Sequence, residues 1–157
     1  MPTREPVRMW GKPKDCPPIA WDEVEGRLRS AVAYWLVTAE ATARPVWGVW
    51  HDERLLLSVG STSLWRGLRA SPRASVHLED AHDVVTVEGS TTTVTDPAEL
   101  AQFCEVYNPK YDWNFTPDTT GPIVVLTPAT VVAWRTGRWN DAKSDPFPLA
   151  GSRFLFS

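Results

Sequence analysis

Hydrophobic and polar positions alternate most clearly in residues 44–59, where the pattern predicts a β-hairpin. Residues 46–50 alternate between two faces, with Trp47 and Val49 on the same one. After a short polar turn, a second apolar run continues until Gly60. Period-two alternation is typical of a half-buried strand, and two such runs around a polar turn predict a hairpin.

The predicted hairpin leads into a corner rich in hydroxyl groups, Gly60-Ser61-Thr62-Ser63. Leu64 and Leu68 follow with helical spacing, and a serine or threonine ahead of them suits an N-cap. A helix N-terminus presents backbone N–H groups without intrahelical partners, and such a terminus attracts phosphate. Arg66, in the first turn, adds a charged donor. The corner is therefore a candidate anion site.

Two further helices are predicted from capping signals. Asp22, with Glu25 three residues later, predicts a capping box for a helix over residues 22–30. Asp96-Pro97 supplies an N-cap and a first helical residue for another helix. We expect that helix to stop at Asn108-Pro109, because proline lacks a backbone donor and clashes with the preceding turn.

The remaining segments carry strand patterns. The nearly continuous apolar run at residues 31–38 predicts a strand covered on both faces. The longest candidate is rich in valine and threonine, with Gly89 where a bulge or a sharp barrel corner is expected. Two strands are predicted on either side of Thr127-Pro128-Ala129. The predicted strands outside the hairpin are residues 31–38, 74–79, 84–95, 123–126, 131–135 and 153–156, and the predicted loops are residues 110–121 and 136–150.

Many short strands with three short helices, mostly joined by tight turns, predict a mostly β fold in which an antiparallel barrel avoids open edges. A chain of 157 residues is most simply one domain. Because its start is rich in proline, which resists both helix and sheet, we expect an N-terminal arm over residues 1–20 and a barrel domain over residues 21–157. The arm is expected to dock on its own barrel or on a partner subunit.

Composition narrows the function classes. Nine tryptophans supply many large aromatic faces, which suit a stacking site for a flat ligand. The net charge of −3 argues against nucleic acid or an anionic membrane as the main partner. No apolar run approaches the ~20 residues of a membrane span, and no signal-peptide pattern opens the chain. Cys16 and Cys104 lie far apart without ligand spacing, which is typical of reduced thiols in a cytoplasmic protein.

One polar cluster, Glu79, Asp80, His82 and Asp83, offers side chains of metal-ligating type. Adjacent polar residues at a turn are normally solvated, and the sequence has no second cluster to complete a coordination shell. A solvated turn is therefore the preferred interpretation. No metal ligand and no catalytic residue are assigned.

A series of short motifs runs through the chain from Trp21 onward. In order they are Trp21-Asp22-Glu23-Val24-Glu25, Tyr34-Trp35-Leu36, Arg44-Pro45-Val46-Trp47-Gly48-Val49-Trp50, Ser71-Pro72-Arg73, Ser75-Val76-His77-Leu78-Glu79, Val84-Val85-Thr86-Val87-Glu88-Gly89, residues 107–111 and Ser152-Arg153-Phe154. This order resembles the pyridoxamine 5′-phosphate oxidase-like split-barrel superfamily of flavin and deazaflavin proteins, most closely its actinobacterial branch. The resemblance implies an antiparallel, Greek-key-like split β-barrel with a few short helices. It also implies a homodimer that holds FMN, or the deazaflavin coenzyme F-420, in a cleft between two barrels.

The resemblance implies a set of cofactor-binding residues. The hairpin would line the ring system, and the corner would take the ribityl-phosphate end. Lys110, with Tyr111, is expected to be either a lid over the cofactor or a dimer contact, and Arg153 either reaches the partner's cleft or bounds the last strand. The full set is Trp47, Gly48, Val49, Ser58, Val59, Gly60, Ser61, Thr62, Ser63, Arg66, Lys110 and Arg153.

One departure from the family pattern leaves two function hypotheses open. Ser63 and Leu64 stand where family members carry an arginine and a lysine that hold the cofactor phosphate. With only Arg66 retained, anion binding is expected to be weak and salt-sensitive, and Leu64→Lys is expected to strengthen it. The first hypothesis is a flavin- or deazaflavin-dependent oxidoreductase acting on an unidentified small molecule. The alternative is a barrel without a cofactor that binds a small ligand in its aromatic cleft.

Overall fold

The computed structural model of the protein describes residues 1–7, 16–136 and 148–157. These residues form eight strands and three helices. The strands are β1 (Thr3–Pro6), β2 (Tyr34–Thr38), β3 (Ala43–His51), β4 (Arg54–Ser58), β5 (Arg73–His77), β6 (Asp83–Thr93), β7 (Ile123–Thr136) and β8 (Pro148–Leu155). The helices are α1 (Trp21–Ser30), α2 (Thr62–Ala70) and α3 (Pro97–Tyr111).

The sheet closes into a barrel because β7 pairs with strands at both ends of the series. Six strands follow one another in the order β7, β4, β3, β2, β5 and β6, and β6 pairs again with β7. These pairings are all antiparallel. Outside the barrel, β8 pairs with the later part of β7, and β1 pairs with β8. The architecture confirms the predicted mostly β, antiparallel barrel.

Two apolar clusters hold the layers together, an inner core inside the barrel and an outer core beneath α3. The inner core is built from buried side chains of the barrel strands, β8, α1 and α2, and its largest members include Tyr34, Leu57, Leu126 and Phe154. The outer core consists of Leu56, Val94, Phe103, Cys104, Tyr107 and Ile123. Burial of apolar surface stabilises such contacts by roughly 25 cal/mol per Å². The outer core therefore fixes α3 on the barrel wall and sets the position of its last turn.

The predicted hairpin is confirmed as β3 and β4. Trp47 lies opposite Ser58 across the two strands. Val46, Gly48 and Trp50 are buried, whereas Trp47 is exposed on the other face, as period-two alternation predicts. The hairpin therefore carries one face of the inner core and one face of the barrel surface.

Strand β2 differs from its prediction in how it is covered. Tyr34 and Leu36 are fully buried, but the intervening Trp35 is 36% exposed. The Trp35 ring lies parallel to the ring of His77 on β5, with ring centroids 6.0 Å apart. The prediction of a strand covered on both faces is wrong. Trp35 lies on the outer surface of the barrel, where its ring contacts the His77 side chain but no layer of secondary structure packs over it.

The predicted irregularity at Gly89 is confirmed. The register between β6 and β7 shifts between Glu88 and Gly89, and a Cβ atom on Gly89 would lie 2.1 Å from the carbonyl oxygen of Thr127. However, β7 is one continuous strand, so the predicted division at residues 127–129 is wrong. Pro128 lies opposite Gly89 at the bulge, a position that tolerates a residue without a backbone donor.

Of the predictions about where the helices begin and end, two are wrong and one is confirmed. Ala20 occupies the N-cap position of α1, so Asp22 does not cap it and the predicted capping box is absent from this described helix. Asp96 does cap α3, accepting a hydrogen bond from the Ala98 N–H at 3.4 Å. The predicted stop at Asn108-Pro109 is wrong, because α3 continues to Tyr111. Asp112 is its C-cap residue and has a left-handed conformation (φ 50°).

The two ends of the described chain lie side by side. Thr3 lies opposite Leu155 in the β1–β8 pair, so part of the proline-rich segment forms a strand that its composition did not predict. Strand β8 begins at Pro148, earlier than predicted. Residues 8–15 of the predicted arm, and residues 137–147 of the predicted loop, lie outside the described residues. Among the described helices, none has the length and apolarity needed to cross a membrane.

Candidate functional site

The last turn of α3 fills a gap in the barrel wall beside Gly48. Strand β2 begins at Tyr34, opposite Val46, so β3 extends beyond the start of β2. The Tyr111 hydroxyl accepts a hydrogen bond from the Gly48 N–H at 3.0 Å and lies 2.8 Å from the carbonyl oxygens of both Gly48 and Val32. Since a hydroxyl carries one hydrogen, it donates to one of these carbonyls at a time. The tyrosine thus bridges β3 and the segment that leads into β2, just beyond the end of their hydrogen-bond ladder.

Lys110 reaches into the same gap from the same helical turn. Its Nζ donates to the Gly48 carbonyl at 2.9 Å and to the Tyr34 hydroxyl at 3.1 Å. The ammonium also lies 5.0 Å from the centre of the Tyr34 ring and 5.3 Å from that of Tyr111, within the range of cation–π attraction. Within one chain, Lys110 therefore seals a strand edge with hydrogen bonds and aromatic contacts, and its predicted role as a lid or a dimer contact stays a prediction.

Burial perturbs the titration of every ionisable group in this gap. It lowers the pKa of Lys110 to about 8, because desolvation penalises the ammonium. Burial, with a smaller contribution from Tyr111, raises the pKa of Tyr34 well above its usual value. Burial likewise raises the pKa of Tyr111, and it raises that of Tyr107 to about 12. At neutral pH the tyrosines are uncharged and the lysine is the charged group.

An aromatic face covers this gap and continues across the barrel surface. Trp47, 49% exposed, stacks on Tyr111 with ring centroids 5.4 Å apart and 14° between the planes. Trp113, equally exposed, meets Trp47 edge-on at 6.4 Å. Trp35 and His77 continue the same outer face on β2 and β5. We call these five residues the aromatic face, and their rings suit stacking against a flat ligand.

The predicted corner lies beside the aromatic face. Ser58, the last residue of β4, is opposite Trp47, and the chain then turns into α2. Ser61 occupies the N-cap position, but its hydroxyl is directed at the Ser63 hydroxyl, 2.9 Å away, and not at the helix backbone. Thr62 is exposed. The hydroxyls of Ser61, Thr62 and Ser63 therefore lie together at the start of α2, and anion binding there stays a prediction.

The outer side of α2 adds a residue that the sequence analysis missed. A cleft of about 460 Å³ is lined by Thr62, Trp65, Arg66, Arg69 and Ala70. It brings together two guanidinium groups. The signal for Arg69 was its spacing of three residues from Arg66, which places both on one side of a helix.

The structure explains the departure at Leu64. This side chain is fully buried in the inner core, one residue after the exposed Ser63. A lysine at position 64 would carry its ammonium into the barrel and not toward an anion at the corner. The expectation that Leu64→Lys strengthens anion binding therefore lacks a structural basis, whereas Ser63 offers an outward position for a cation.

The other residues predicted to bind a cofactor do not all lie on the surface beside the corner. Val59 is buried and Val49 half-buried, and both support the hairpin more than they present a surface. A Cβ atom on Gly48 would lie 2.5 Å from the Leu56 carbonyl oxygen, so the close approach at this glycine is between strands. Arg153 lies on β8, which pairs with β1 and β7 and not with the hairpin. Within one chain, Arg153 is thus separate from the corner.

A second, larger cleft lies on the outer face where β2, β5, β6 and β7 meet the bulge. Its volume is about 730 Å³. Its lining residues are Val37, Thr38, Ala39, Ser71, Arg73, Ala74, Ser75, Glu88, Gly89, Ser90, Ala129 and Thr130. None of the predicted site residues belongs to this set. Gly89, which the sequence analysis predicted as a bulge, is one of the residues that line this cleft.

The acidic side chains of the polar turn before β6, Asp80 and Asp83, form hydrogen bonds within the protein. The Asp80 carboxylate accepts from the N–H groups of His82 at 2.7 Å and Asp83 at 3.1 Å, which lower the pKa of Asp80. Asp83 also accepts from Arg27 at 2.9 Å. In the part of the chain that the structure describes, no group of three or more histidine, cysteine or acidic side chains is placed to hold a metal ion.

Comparison with known proteins gives matches in fold. No protein-family model and no curated protein match the sequence. An F420 reductase is 20% identical, with a TM-score of 0.52, and the match covers 68% of this chain and 94% of that one. The conserved hypothetical protein Rv2991 from Mycobacterium tuberculosis is 17% identical, with a TM-score of 0.64 and coverage of 79% and 89%. A protein from Clostridium acetobutylicum, related to general stress protein 26 of B. subtilis and described as of the pyridoxinephosphate oxidase family, is 15% identical, with a TM-score of 0.59 and coverage of 85% and 92%.

At these identities the matches establish the fold. The chain shares the fold of these solved structures, an antiparallel split β-barrel, which is the fold that the resemblance of its motifs implied. Fold alone does not determine function, so a function has to be argued from the side chains of the candidate site.

Proposed function

We propose that the protein is a flavin- or deazaflavin-dependent oxidoreductase acting on a small molecule. The observation that carries this proposal is the register of the hairpin, which places Trp47 of the aromatic face directly opposite Ser58 at the edge of the corner. A stacking surface next to an anion-binding corner matches a cofactor that has a flat ring system and a phosphate-bearing tail. FMN and coenzyme F-420 both have this form, and the matched F420 reductase supports the second.

Different residues of the chain would bind the ring system and the phosphate-bearing tail of the cofactor. Trp47 and Trp113 offer their exposed faces to the ring system. The N–H groups of α2, the hydroxyls of Ser61 and Ser63, and Arg66 would hold the phosphate. When bound, the ring system accepts and donates hydride, while the protein positions it and tunes its electronics. Gly48 would contribute little polar contact, because Lys110 and Tyr111 already hydrogen-bond its backbone groups.

We also propose that the aromatic face is completed by a second copy of the chain. Large exposed rings such as Trp47 and Trp113 are costly to leave in water, and a partner that covers them would form a closed cleft for the ring system. Arg153, separate from the corner within one chain, could then contribute across the interface. Light scattering that gives a monomer mass at every concentration would contradict this arrangement.

A second candidate function is a barrel that binds a small aromatic ligand without redox chemistry. The observation that favours it is the buried Leu64, since the corresponding cation of the family pattern is absent from the corner. Each lost charged hydrogen bond reduces phosphate affinity by about 1.5–3 kcal/mol. On this alternative the aromatic face is used and the corner is not.

Titration of FMN and coenzyme F-420 into the purified protein separates the two functions. With Trp47 and Trp113 exposed, stacking should quench tryptophan fluorescence, and a bound flavin should give the protein a visible absorbance band. The oxidoreductase proposal predicts saturable binding that weakens with salt, followed by cofactor reduction or oxidation with a suitable substrate. Absence of saturable binding for either cofactor would leave the ligand-binding function.

A further inference from the structure

We propose that the larger cleft, on the outer face of β2, β5, β6 and β7, binds a free aliphatic amino acid. Its volume of about 730 Å³ is that of a small-molecule site. None of its described lining residues belongs to the aromatic face or to the corner. The proposal therefore does not depend on a bound flavin. Two oppositely charged ends and an apolar side of the cleft support it.

One end of the cleft offers donors for a carboxylate. Arg73 on β5 lies directly opposite Ser90 on β6, and both side chains are exposed. Ser71 lines the same end, and its hydroxyl oxygen accepts a hydrogen bond from the Arg73 N–H at 3.4 Å. The Ser71 hydroxyl keeps its own hydrogen for another acceptor. A guanidinium with two neighbouring hydroxyls suits a carboxylate, because charge-assisted hydrogen bonds of this kind are among the strongest.

The other end offers acceptors for an ammonium group. Glu88 lies opposite Ser75 on β5 and opposite Thr130 on β7, and all three residues line the cleft. A carboxylate and two hydroxyl oxygens can each accept a hydrogen from an ammonium group, which carries three. Glu88 precedes Ser90 by two residues on the same strand, so the two ends are separated by roughly 7 Å along β6.

The two charged side chains of the cleft do not neutralise each other. The ion pairs within the described part of the chain include neither Arg73 nor Glu88. Both side chains are exposed, and both line the same cleft. A ligand with one charge would engage one end only, whereas a zwitterion with its charges a few ångströms apart would engage both. The cleft therefore favours a zwitterion.

The β2 side of the cleft selects the kind of amino acid. Val37 lies opposite Ser75 and is half-buried, and Ala39 follows the end of β2. A ligand side chain placed there would cover apolar surface, which is favourable. Among the described lining residues there is no aromatic ring to stack on and no third charged group to pair with. An aliphatic side chain thus matches this lining better than an aromatic or a charged one.

Titration of L-leucine into the isotope-labelled protein, followed by amide NMR spectra, tests the proposal. We expect saturable shifts at the amides of Ala74, Gly89 and Thr130, with a dissociation constant on the order of 1 mM, and no saturable shift at the corner. Two probes each keep one charge of leucine. Isocaproate lacks the amine and isoamylamine lacks the carboxylate, so each should bind about tenfold more weakly than leucine.

Two variants separate the ends of the cleft. Arg73→Gln should weaken leucine binding about tenfold and leave isoamylamine binding unchanged, because the amine does not need the guanidinium. Glu88→Gln should weaken leucine binding by a similar factor and leave isocaproate binding unchanged. Arg54→Gln and Glu99→Gln remove exposed charges outside the cleft and should leave all three affinities unchanged. Physiological salt is used throughout, because it screens the field of distant charges.

Three results would overturn the proposal. The first is an absence of saturable shifts at the amides of the cleft. The second is equal affinity for leucine and for either probe with a single charge, since a zwitterion site must distinguish them. The third is a loss of leucine binding in Arg54→Gln or Glu99→Gln as large as in the cleft variants, which would mean that binding follows net charge. All four substituted side chains are exposed, so the spectra of the variants without ligand should match that of the wild type.

Discussion

The end of α3 and the start of α2 are both polar, and both lie beside the aromatic face, yet they differ in how their polar groups are satisfied. At the end of α3, Lys110 and Tyr111 are bonded to Gly48 and are half-buried. At the start of α2, Thr62 and Ser63 are exposed. The polar groups at the end of α3 form hydrogen bonds that close the barrel, whereas those at the start of α2 are open to solvent. Among polar groups beside the aromatic face, the state of the hydrogen bonds therefore separates those that hold the barrel together from those that stay open to solvent.

The largest effect should come from Leu64→Lys, with Ser63→Lys as its neighbour on the outside. Leu64 is fully buried, so a lysine there would be desolvated without a partner, and we expect a loss of more than ~3 kcal/mol in the free energy of unfolding. Ser63→Lys should change stability by less than about 0.5 kcal/mol. Urea unfolding of both variants measures the difference. Equal stabilities would contradict the assigned direction of the two side chains.

A smaller effect is expected from Tyr111→Phe, which removes the hydroxyl that bridges Gly48 and Val32. The Gly48 N–H would lose its partner, and an unsatisfied buried donor costs about 1–3 kcal/mol. Thr62→Val, which removes an exposed hydroxyl at the corner, is the matched control and should be nearly neutral. Chemical denaturation that shows the same small change for both would mean that the gap beside Gly48 is open to water.

The corner should respond in affinity rather than in stability. We expect Arg66→Ala and Arg69→Ala each to weaken FMN binding about tenfold, equivalent to ~1.4 kcal/mol, because each removes one charged donor beside the same cleft. The loss should shrink as salt is raised. Fluorescence titrations at low and high salt measure both effects. Arg29→Ala, on the exposed part of α1, is the control and should leave affinity unchanged.

A further effect is a dependence of stability on pH. The pKa of Lys110 is lower in the folded state than in the unfolded state, so between pH 8 and about 10 the unfolded chain binds more protons and stability should rise with pH. The pKa values of Tyr34, Tyr107 and Tyr111 are raised, so above about pH 10 the unfolded chain releases protons first and stability should fall. Lys110→Met should remove the rise and keep the fall. Unfolding free energies measured from pH 7 to 11 would reveal either change.

Local patterns were enough to predict much of the fold. The hairpin was predictable because Trp47 and its neighbours alternate with period two, and the bulge because Gly89 interrupts a long strand of β-branched residues. The predictions failed where contacts between distant segments decide the outcome. Helix α3 passes through Pro109 because Lys110 and Tyr111, beyond it, are held by Gly48.

The site was predictable only in part, for the same reason. The corner follows directly from consecutive residues, and Arg69 could have been found from helical spacing. The position of Leu64 in the core could not be read from the family pattern, because that pattern supplied a lysine there. The gap beside Gly48 joins residues about sixty positions apart, and nothing in the local sequence of α3 indicates its partner.

The double pairing of β7 has a consequence for how the chain folds. Residues 124–126 pair with β4 on one side and with β6 on the other. Until they arrive, both strands present unpaired backbone edges, which are templates for aggregation. One late segment therefore protects two edges at once. In native-state hydrogen exchange, the amides of β4 and of the end of β6 that bond to β7 should lose protection in the same opening event, and independent loss would show that the barrel can open along one seam at a time.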